Sequence, residues 1–315
     1  MQAAEAGARL DRFLAADERL RSRSKAAEAI DRGKVFVNGA EAGSGQAGRA
    51  LSAGDLVHVW MDRPGSGRAV RPRRRRDGGL VIAYEDASLL VVDKPAGLLA
   101  VPLRGRADRA SLVDLVTAHL HSHGKRSPHV VHRIDRDTSG LVLFAKDGAA
   151  LAHLKRQFVL RAPDRVYLAI VHGRPAPPEG TWRDRLVWDG EALAQRVAMP
   201  RDPRAKDAIS TYRLLRPLRG AALIEIGLVT GKRNQIRVQA ALRGHPLVGE
   251  RQYATISPAA RIEFPRQALH AHRLAFDHPV TGRRLECSSP LPDDMAALAE
   301  RLAVATGRGR PHAVP

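Results

Sequence analysis

Apolar positions change their spacing several times along the chain, and each change predicts an element. Leu10, Phe13 and Leu14 recur at helical spacing, so a short helix is predicted there. A second helix follows Ser24, with Ala26, Ala29 and Ile30 on one face and Gly33 placed to end it. Val35-Phe36-Val37 predicts a strand entering an Asn38-Gly39 turn, and Leu56 to Trp60 alternates as a second strand after Gly54-Asp55. Helix, helix, hairpin over residues 9–62 makes a small module.

From Leu80 the pattern mixes strands and helices without internal repeat to about residue 305, and a tail rich in Gly, Arg and Pro occupies 306–315. Leu89-Leu90-Val91-Val92 has the character of a buried strand, leading to Asp93-Lys94-Pro95-Ala96-Gly97. Ser111-Leu112-Val113-Asp114 forms a capping box for a helix that aligns Leu112, Leu115, Val116 and Leu120. Gly140 to Ala145 and Val166 to Val171 are predicted strands, and Ala149 to Leu160 is a predicted helix aligning Leu151, Leu154 and Phe158. The mixture points to an α+β domain over 80–305 rather than strict βαβ winding.

Between the two modules, residues 63–79 are predicted to be a linker. Seven arginines, two glycines, two prolines and no acid lie from Arg63 to Arg76, ending in Arg73-Arg74-Arg75-Arg76. Such a run is a solvated, self-repelling spacer, an arm that tracks phosphates, or both.

Charge then narrows the partner. The chain has 315 residues, 44% hydrophobic and 27% charged, a globular composition that excludes disorder as the main state. Its formal net charge is +19, and of 52 Lys and Arg only eight are Lys. Guanidinium binds phosphate bidentately and stacks on bases, so a polyanion is expected, and nucleic acid before membrane. Around the second helix, Arg21, Arg23, Lys25, Arg32 and Lys34 would form a basic face. Apolar stretches such as Ser88 to Val92 and Leu141 to Ala145 are far below the roughly 20 residues that span a bilayer. The lone Cys287 and an N-terminus without a basic start or apolar segment suggest no export, and a cytoplasmic protein is expected.

Chemistry is concentrated in His132-Arg133-Ile134-Asp135-Arg136-Asp137-Thr138-Ser139-Gly140, a polar segment clamped between Val130-Val131 and Leu141-Val142-Leu143-Phe144. Neighbouring cations would depress the pKa of its two carboxylates and hold them ionised, and an ionised Asp is a nucleophile. A surface turn with ordinary ion pairs fits the same residues. A glycosidase built on Asp135 and Asp137 is disfavoured, because residues two apart in one loop rarely face each other across a substrate. Gly43-Ser44-Gly45-Gln46-Ala47-Gly48 lies in a loop with no βαβ unit around it, and G-x-x-x-x-G-K-[ST] is missing, so no nucleotide cofactor is expected. His270-Ala271-His272 and His121-Ser122-His123 come without a H-E-x-x-H or C-x-x-C pattern, so no metal is expected.

Two resemblances sharpen this reading. Leu10-Asp11-Arg12-Phe13-Leu14, Ser22-Arg23-Ser24 and Gly33-Lys34-Val35-Phe36-Val37-Asn38-Gly39 resemble the S-four-type (alpha-L) RNA-binding motif, which implies docking to structured RNA. His132-Arg133-Ile134-Asp135 with Thr138-Ser139-Gly140 resembles the central motif of the RluA and RluD type pseudouridine synthases. The likeness continues in order through Val91 to Gly97, Arg165 to Val171, Lys206, Ala208, Thr211 and Tyr212. After these come Thr230-Gly231-Lys232-Arg233-Asn234-Gln235-Ile236-Arg237-Val238, Gly244 to Gly249, Arg266 to Ala271 and His278 to Gly282.

That resemblance implies a mixed, mainly antiparallel sheet flanked by helices, with a central cleft. It also implies isomerisation of uridine in RNA to pseudouridine, large-subunit ribosomal RNA being favoured over transfer RNA; a monomer is the default expectation. Asp135 matches the catalytic aspartate, Arg237 its ion-pair partner, and Tyr167 the tyrosine against the target base. Arg133 matches the residue that fills the space left by the extruded base, and Ile236 part of the apolar floor beneath the uracil. Gln235, Arg136 and Lys232 are further substrate-binding candidates. Relatives commonly carry Arg and two His where this chain has Lys232, Asn234 and Gln239, which puts substrate identity in doubt more than catalysis. The charge and the small module alone fit a non-catalytic RNA-binding ribosome assembly factor equally well.

Overall fold

The computed structural model of the chain describes residues 7–16, 19–31, 33–60, 74–77, 79–102, 110–122, 127–254 and 256–304. The chain divides into two compact units, residues 1–71 with 276–286, and residues 72–275 with 287–315.

In the small unit, helices α1 (Leu10–Leu14) and α2 (Arg23–Asp31) bury Leu10, Leu14, Ala26, Ala29 and Ile30 against strand β1 (Val35–Val37). Strands β2 (Ala40–Glu41) and β3 (Val57–Val59) flank β1 antiparallel on either side. Asn38 and Gly39 both adopt positive φ, 52° and 75°, as a two-residue hairpin turn demands. The Asn38 side chain then ties the turn to the next segment, donating to Asp55 at 2.8 Å and accepting from the Leu56 amide at 2.9 Å. Gly33, at φ 64°, follows α2 as predicted, although α2 begins at Arg23 rather than after Ser24. Arg21, Arg23 and Lys25 are exposed and Lys34 is half-buried; Arg32 lies outside the described residues. Arg23 also pairs at 3.0 Å with Asp11, whose carboxyl Arg9 and Arg23 together hold well below the usual carboxylate range.

The large unit is built on one sheet whose main path comprises ten strands. In spatial order these are β11 (Ala194–Val197), β10 (Glu179–Asp189), β12 (Lys206–Leu218), β13 (Ala221–Leu228), β9 (Asp164–His172), β14 (Leu269–Asp277), β8 (Ser139–Ala145), β6 (Leu89–Lys94), β5 (Leu80–Glu85) and β4 (Arg75–Asp77). A short β7 (His129–Val130) adds to β8. Among these described pairings all are antiparallel except β8 with β14, so the mixed, mainly antiparallel α+β fold expected from the resemblance is present.

Helices cover both faces. Helix α3 (Leu112–Ser122) is capped by the box read from sequence, with Asp114 accepting from both the Ser111 amide and hydroxyl at 2.7 and 2.8 Å. Helix α4 (Gly148–Val159) is capped by Asp147, and α5 (Gln235–Leu242) opens beside the β8 loop side of the sheet. One core joins Tyr167, Ala169, Tyr212, Ile226, Ile236 and Leu269; the alternate residues of the same strands, such as Leu168, Ile170 and Leu223, pack with Met295 and Leu298 of α6 (Asp293–Arg301). That alternation assigns the two faces of the sheet.

One sequence expectation is corrected here. Residues 61–73 lie outside the described residues, Arg73 among them, but the described end of the 63–79 linker is a strand. β4 pairs Arg75 with Ile82 and Arg76 with Val81. Arg74 pairs with Asp93, and Arg75 with Asp77 and Glu85, so these two arginines do not extend into solvent as a phosphate-tracking arm. A run of four arginines carries no hint of the acids that fold against it.

Candidate active site

The parallel join between β8 and β14 decides where the polar loop sits. Gly140 lies opposite Ala271 at φ 111°, and a Cβ there would collide with the Ala271 backbone, so only glycine lets the two strands close. The loop from His132 to Thr138 is thereby brought against the ends of β9 and β14 and the start of α5.

Buried cations hold that loop from behind. Lys94, fully buried, donates to the carbonyl oxygens of Pro95, Leu98 and Arg136 at 2.8, 2.8 and 2.7 Å, which ties the residue next to Asp135 to the preceding turn. Burial pushes its ammonium down to about 7. Arg266 donates to the carbonyls of Asp137, Gln267 and Leu269 at 3.1–3.2 Å and forks onto Asp294 at 2.7 and 2.9 Å. His132 accepts from the Leu143 amide at 3.1 Å and stacks on Phe158 at 5.0 Å; burial pushes it down to about 3, so it is neutral.

What these supports position is a cleft of about 450 Å³, lined by Arg133, Asp135, Tyr167, Lys232, Ile236 and Arg237 together with His132, Phe158, Arg233 and Asn234. Asp135 faces Arg237 across 3.6 Å. Arg237 is itself clamped by Glu250, Nε to Oε2 at 2.7 Å and Nη2 to Oε1 at 2.8 Å. The Glu250 side chain is 0% exposed and also accepts from the amides of Gln252 and Tyr253 at 2.8 and 3.2 Å. Burial alone would raise its pKa, but the Arg237 fork and these amides outweigh it and hold Glu250 below its ordinary value. Arg237 is therefore aimed by one carboxylate at another.

The electrostatics at Asp135 reverse the sequence expectation. Its pKa is raised above the ordinary value, because burial outweighs the opposing pull of Arg237, Arg133 and Arg233. Counting cations along a sequence omits desolvation, which only the fold supplies. Tyr167, 8% exposed, belongs at once to the core and to the cleft wall, and burial pushes its phenol up to about 12. It keeps its proton at any ordinary pH.

Two further candidates are engaged with protein neighbours. Gln235 is 2% exposed and its amide is fully engaged: Oε1 accepts from Thr230 at 2.8 Å and the Lys232 amide at 2.9 Å, while Nε2 donates to Ile209, Ser210 and Gln239. It lines the cleft at the α5 entry and braces that turn. Arg136 is exposed and forks onto Asp137 at 3.0 Å, outside the cleft lining. Asp137 is spent on that pair, which removes the second carboxylate that a glycosidase would need.

The departures from the common motif also find places. Asn234 sits at φ 52°, a left-handed conformation that Asn tolerates well, and donates to the Tyr253 hydroxyl at 3.0 Å. Gln239, fully buried, accepts from Ser210 at 2.7 Å and donates to Asp184 and the Ala208 carbonyl at 2.7 and 3.0 Å. Lys232 remains at the cleft; burial, then Lys206 and Arg161, lower its pKa. Sequence reasoning missed Glu250, Lys94 and Arg266 as positioning groups. Lys94 and Arg266 stood inside segments matched by the resemblance and Glu250 directly follows one, but nothing in the sequence showed what they touch. Among the described residues no cluster of three metal-ligating side chains occurs.

A carboxylate fixed beside a guanidinium and a buried phenol, over an apolar floor and under a cationic rim, is a site for an aspartate-dependent reaction on an anionic, planar-ringed substrate. Comparison with known proteins gives that class its family. Residues 88–242 match the family described as RNA pseudouridylate synthase. An uncharacterized RNA pseudouridine synthase of Bacillus subtilis is 36% identical over 298 residues, covering 93% of this chain and 94% of the relative. A ribosomal large subunit pseudouridine synthase D of Pseudomonas aeruginosa is 36% identical over 309 residues, covering 94% and 92%. Human RNA Pseudouridylate Synthase Domain Containing 4 shares the fold, with a TM-score of 0.59 at 22% identity over 70% of this chain and 92% of that one. The chain belongs to the RNA pseudouridylate synthase family, enzymes of the isomerase class that convert uridine in RNA to pseudouridine. A non-catalytic assembly role is not favoured by these relatives.

Proposed function

We propose that the chain isomerises uridine in large-subunit ribosomal RNA, with Asp135 as the reacting carboxylate. The observation that carries this is the Glu250–Arg237–Asp135 line beside Tyr167 in one cleft. In the net reaction the bond from base nitrogen to sugar carbon breaks and a bond from base carbon 5 to the same sugar carbon forms. The hydrogen on carbon 5 leaves as a proton and the freed nitrogen gains one. Asp135 attacks the sugar or the base covalently, or assists a glycal route, and Arg237 stabilises its charged form. Tyr167, with its phenol protonated, packs on the base and can donate a hydrogen bond to the reacting groups. Ile236 supplies the apolar floor.

The base must leave its stack to enter, at a cost of about a few kcal/mol. Arg133, exposed at the cleft rim, has a flat cation able to occupy the vacated space. Ribosomal RNA is supported by the names of relatives such as the Pseudomonas aeruginosa enzyme and by the exposed Arg21, Arg23 and Lys25 of the small unit. The proposed enzyme acts as a monomer, and a ribosomal substrate supports a cytoplasmic location. Carbodiimide mapping of ribosomal RNA in a deletion strain tests this: at least one pseudouridine disappears and returns with wild-type protein but not with Asp135→Ala. Retention of every large-subunit pseudouridine in the deletion strain refutes the ribosomal assignment.

A further inference from the structure

A second concavity, about 460 Å³ and so as large as the cleft, lies on the reverse face of the same sheet. The face follows from strand alternation: Val166, Thr211, Arg213, Glu225 and Gly227 line it, and each is a neighbour of Tyr167, Tyr212 or Ile226, which point to the cleft-side core. Gly227 makes room there, since a Cβ would stand 2.6 Å from Thr211 Oγ1. Cleft and groove meet at the strand ends, where both are lined by Arg165 and Leu228.

The groove carries unspent positive charge. Arg213 pairs with Glu225 at 3.1 Å, and Asp164 is the other acid in the lining. Against these stand Arg161, Arg165 and Arg273; among the described residues Arg161 and Arg273 have no ion-pair or hydrogen-bonding side-chain partner. Arg165 donates Nη2 to the carbonyls of Leu228 and Val229 at 3.2 and 3.3 Å, while its buried Nε has no partner. At the cleft end, Lys206 and Arg161 stand near enough to Lys232 to depress its pKa after burial has done so. Cations crowded in this way repel one another, and an anion laid along them relieves the repulsion.

We propose that this groove binds the phosphodiester backbone of the single strand flanking the extruded uridine. The strand leaves the cleft past Lys232 and Arg161, turns over the end of β9 at Arg165, and lies on the reverse face against Arg273. This inference rests on RNA being the substrate and adds a second contact surface to it.

Fluorescence anisotropy with a labelled 15-residue oligouridylate tests it on the full chain. Arg273→Ala should weaken binding about three- to tenfold and make the log–log salt dependence shallower by about 0.7, the loss of one phosphate contact. Arg174→Ala, an exposed arginine beyond the opposite end of β9, is the control and should leave the slope unchanged. A 4-thiouridine version of the oligomer should photo-crosslink to peptides containing Thr211 or Arg273. Equal effects of the two substitutions, or crosslinks confined to the cleft and the small unit, overturn the proposal, as does failure of the wild type to bind the oligomer. Displacement of the oligomer by polyglutamate at equal charge concentration reassigns the groove to acidic peptide. Tritium release from 5-tritiated large-subunit ribosomal RNA, run in parallel, keeps the two readings apart. An inactive wild type refutes the ribosomal-substrate reading, whereas an active one with unaltered Arg273→Ala binding refutes only the groove.

Discussion

Arg237→Met tests the central line of the site, because one substitution should change two quantities that a second can separate. Met removes the guanidinium while keeping an apolar stem of similar length. Glu250, whose side chain is 0% exposed, then becomes a buried charge without a partner, at a cost of about 3–5 kcal/mol in unfolding free energy. Asp135 loses the cation 3.6 Å away; at an effective dielectric of about 20 that contact is worth up to about 4.6 kcal/mol. Because the Asp135 side chain is 29% exposed, solvent screens part of that, and loss of the cation moves the Asp135 pKa further upward. Urea denaturation measures the first effect, and the acid limb of kcat/KM from tritium release measures the second. Adding Glu250→Gln removes the orphaned charge, so the double variant should regain most of the lost stability while its acid limb stays shifted upward. A double variant as unstable as the single one, or an acid limb unmoved in Arg237→Met, would falsify the arrangement.

Other outcomes follow from the same geometry. Wild-type activity should fall on acidification at a pH above that of an ordinary exposed Asp, since only ionised Asp135 reacts and burial has raised its pKa; a limb at the ordinary value argues against that burial. Tyr167→Phe should fold normally yet lose about 10²–10⁴ in kcat, and the wild type should show no basic limb from this phenol below about pH 11. Lys94→Met leaves up to three carbonyls without a donor, each costing about 1–3 kcal/mol, so a net loss of about 3 kcal/mol or more by urea titration is expected, with activity lost in proportion to folded protein at best. Gly140→Ala should prevent the β8–β14 join and yield little folded enzyme; a soluble, active variant shows that the strands can part without harm.

Local signals in the chain were sufficient for much of this protein. The hairpin at Asn38-Gly39 and the Ser111–Asp114 capping box rest on interactions between residues close in sequence, and the strands at Leu89 and Val166 show as apolar runs, so these patterns are visible before folding. Asp135 was legible through the resemblance of His132-Arg133-Ile134-Asp135 and Thr138-Ser139-Gly140, whereas the polar loop by itself fitted a surface turn as well. The sum of charge announced a polyanion without placing it.

Tertiary structure decided what depends on residues far apart. Arg74 and Arg75 looked like part of a free arm until Asp93 and Glu85 folded against them. Gln235 stood inside a matched motif, yet its amide is spent on Thr230, Ser210 and Ile209. Cations beside Asp135 suggested a depressed pKa, whereas burial by distant strands raises it. Glu250, thirteen residues beyond Arg237, became the group that aims it. Sequence therefore pointed to the candidate side chain and to many of the elements that carry it, because motifs and apolar runs are local. Desolvation and the partnering of charges depend on what the whole fold brings close, and only the folded chain sets them.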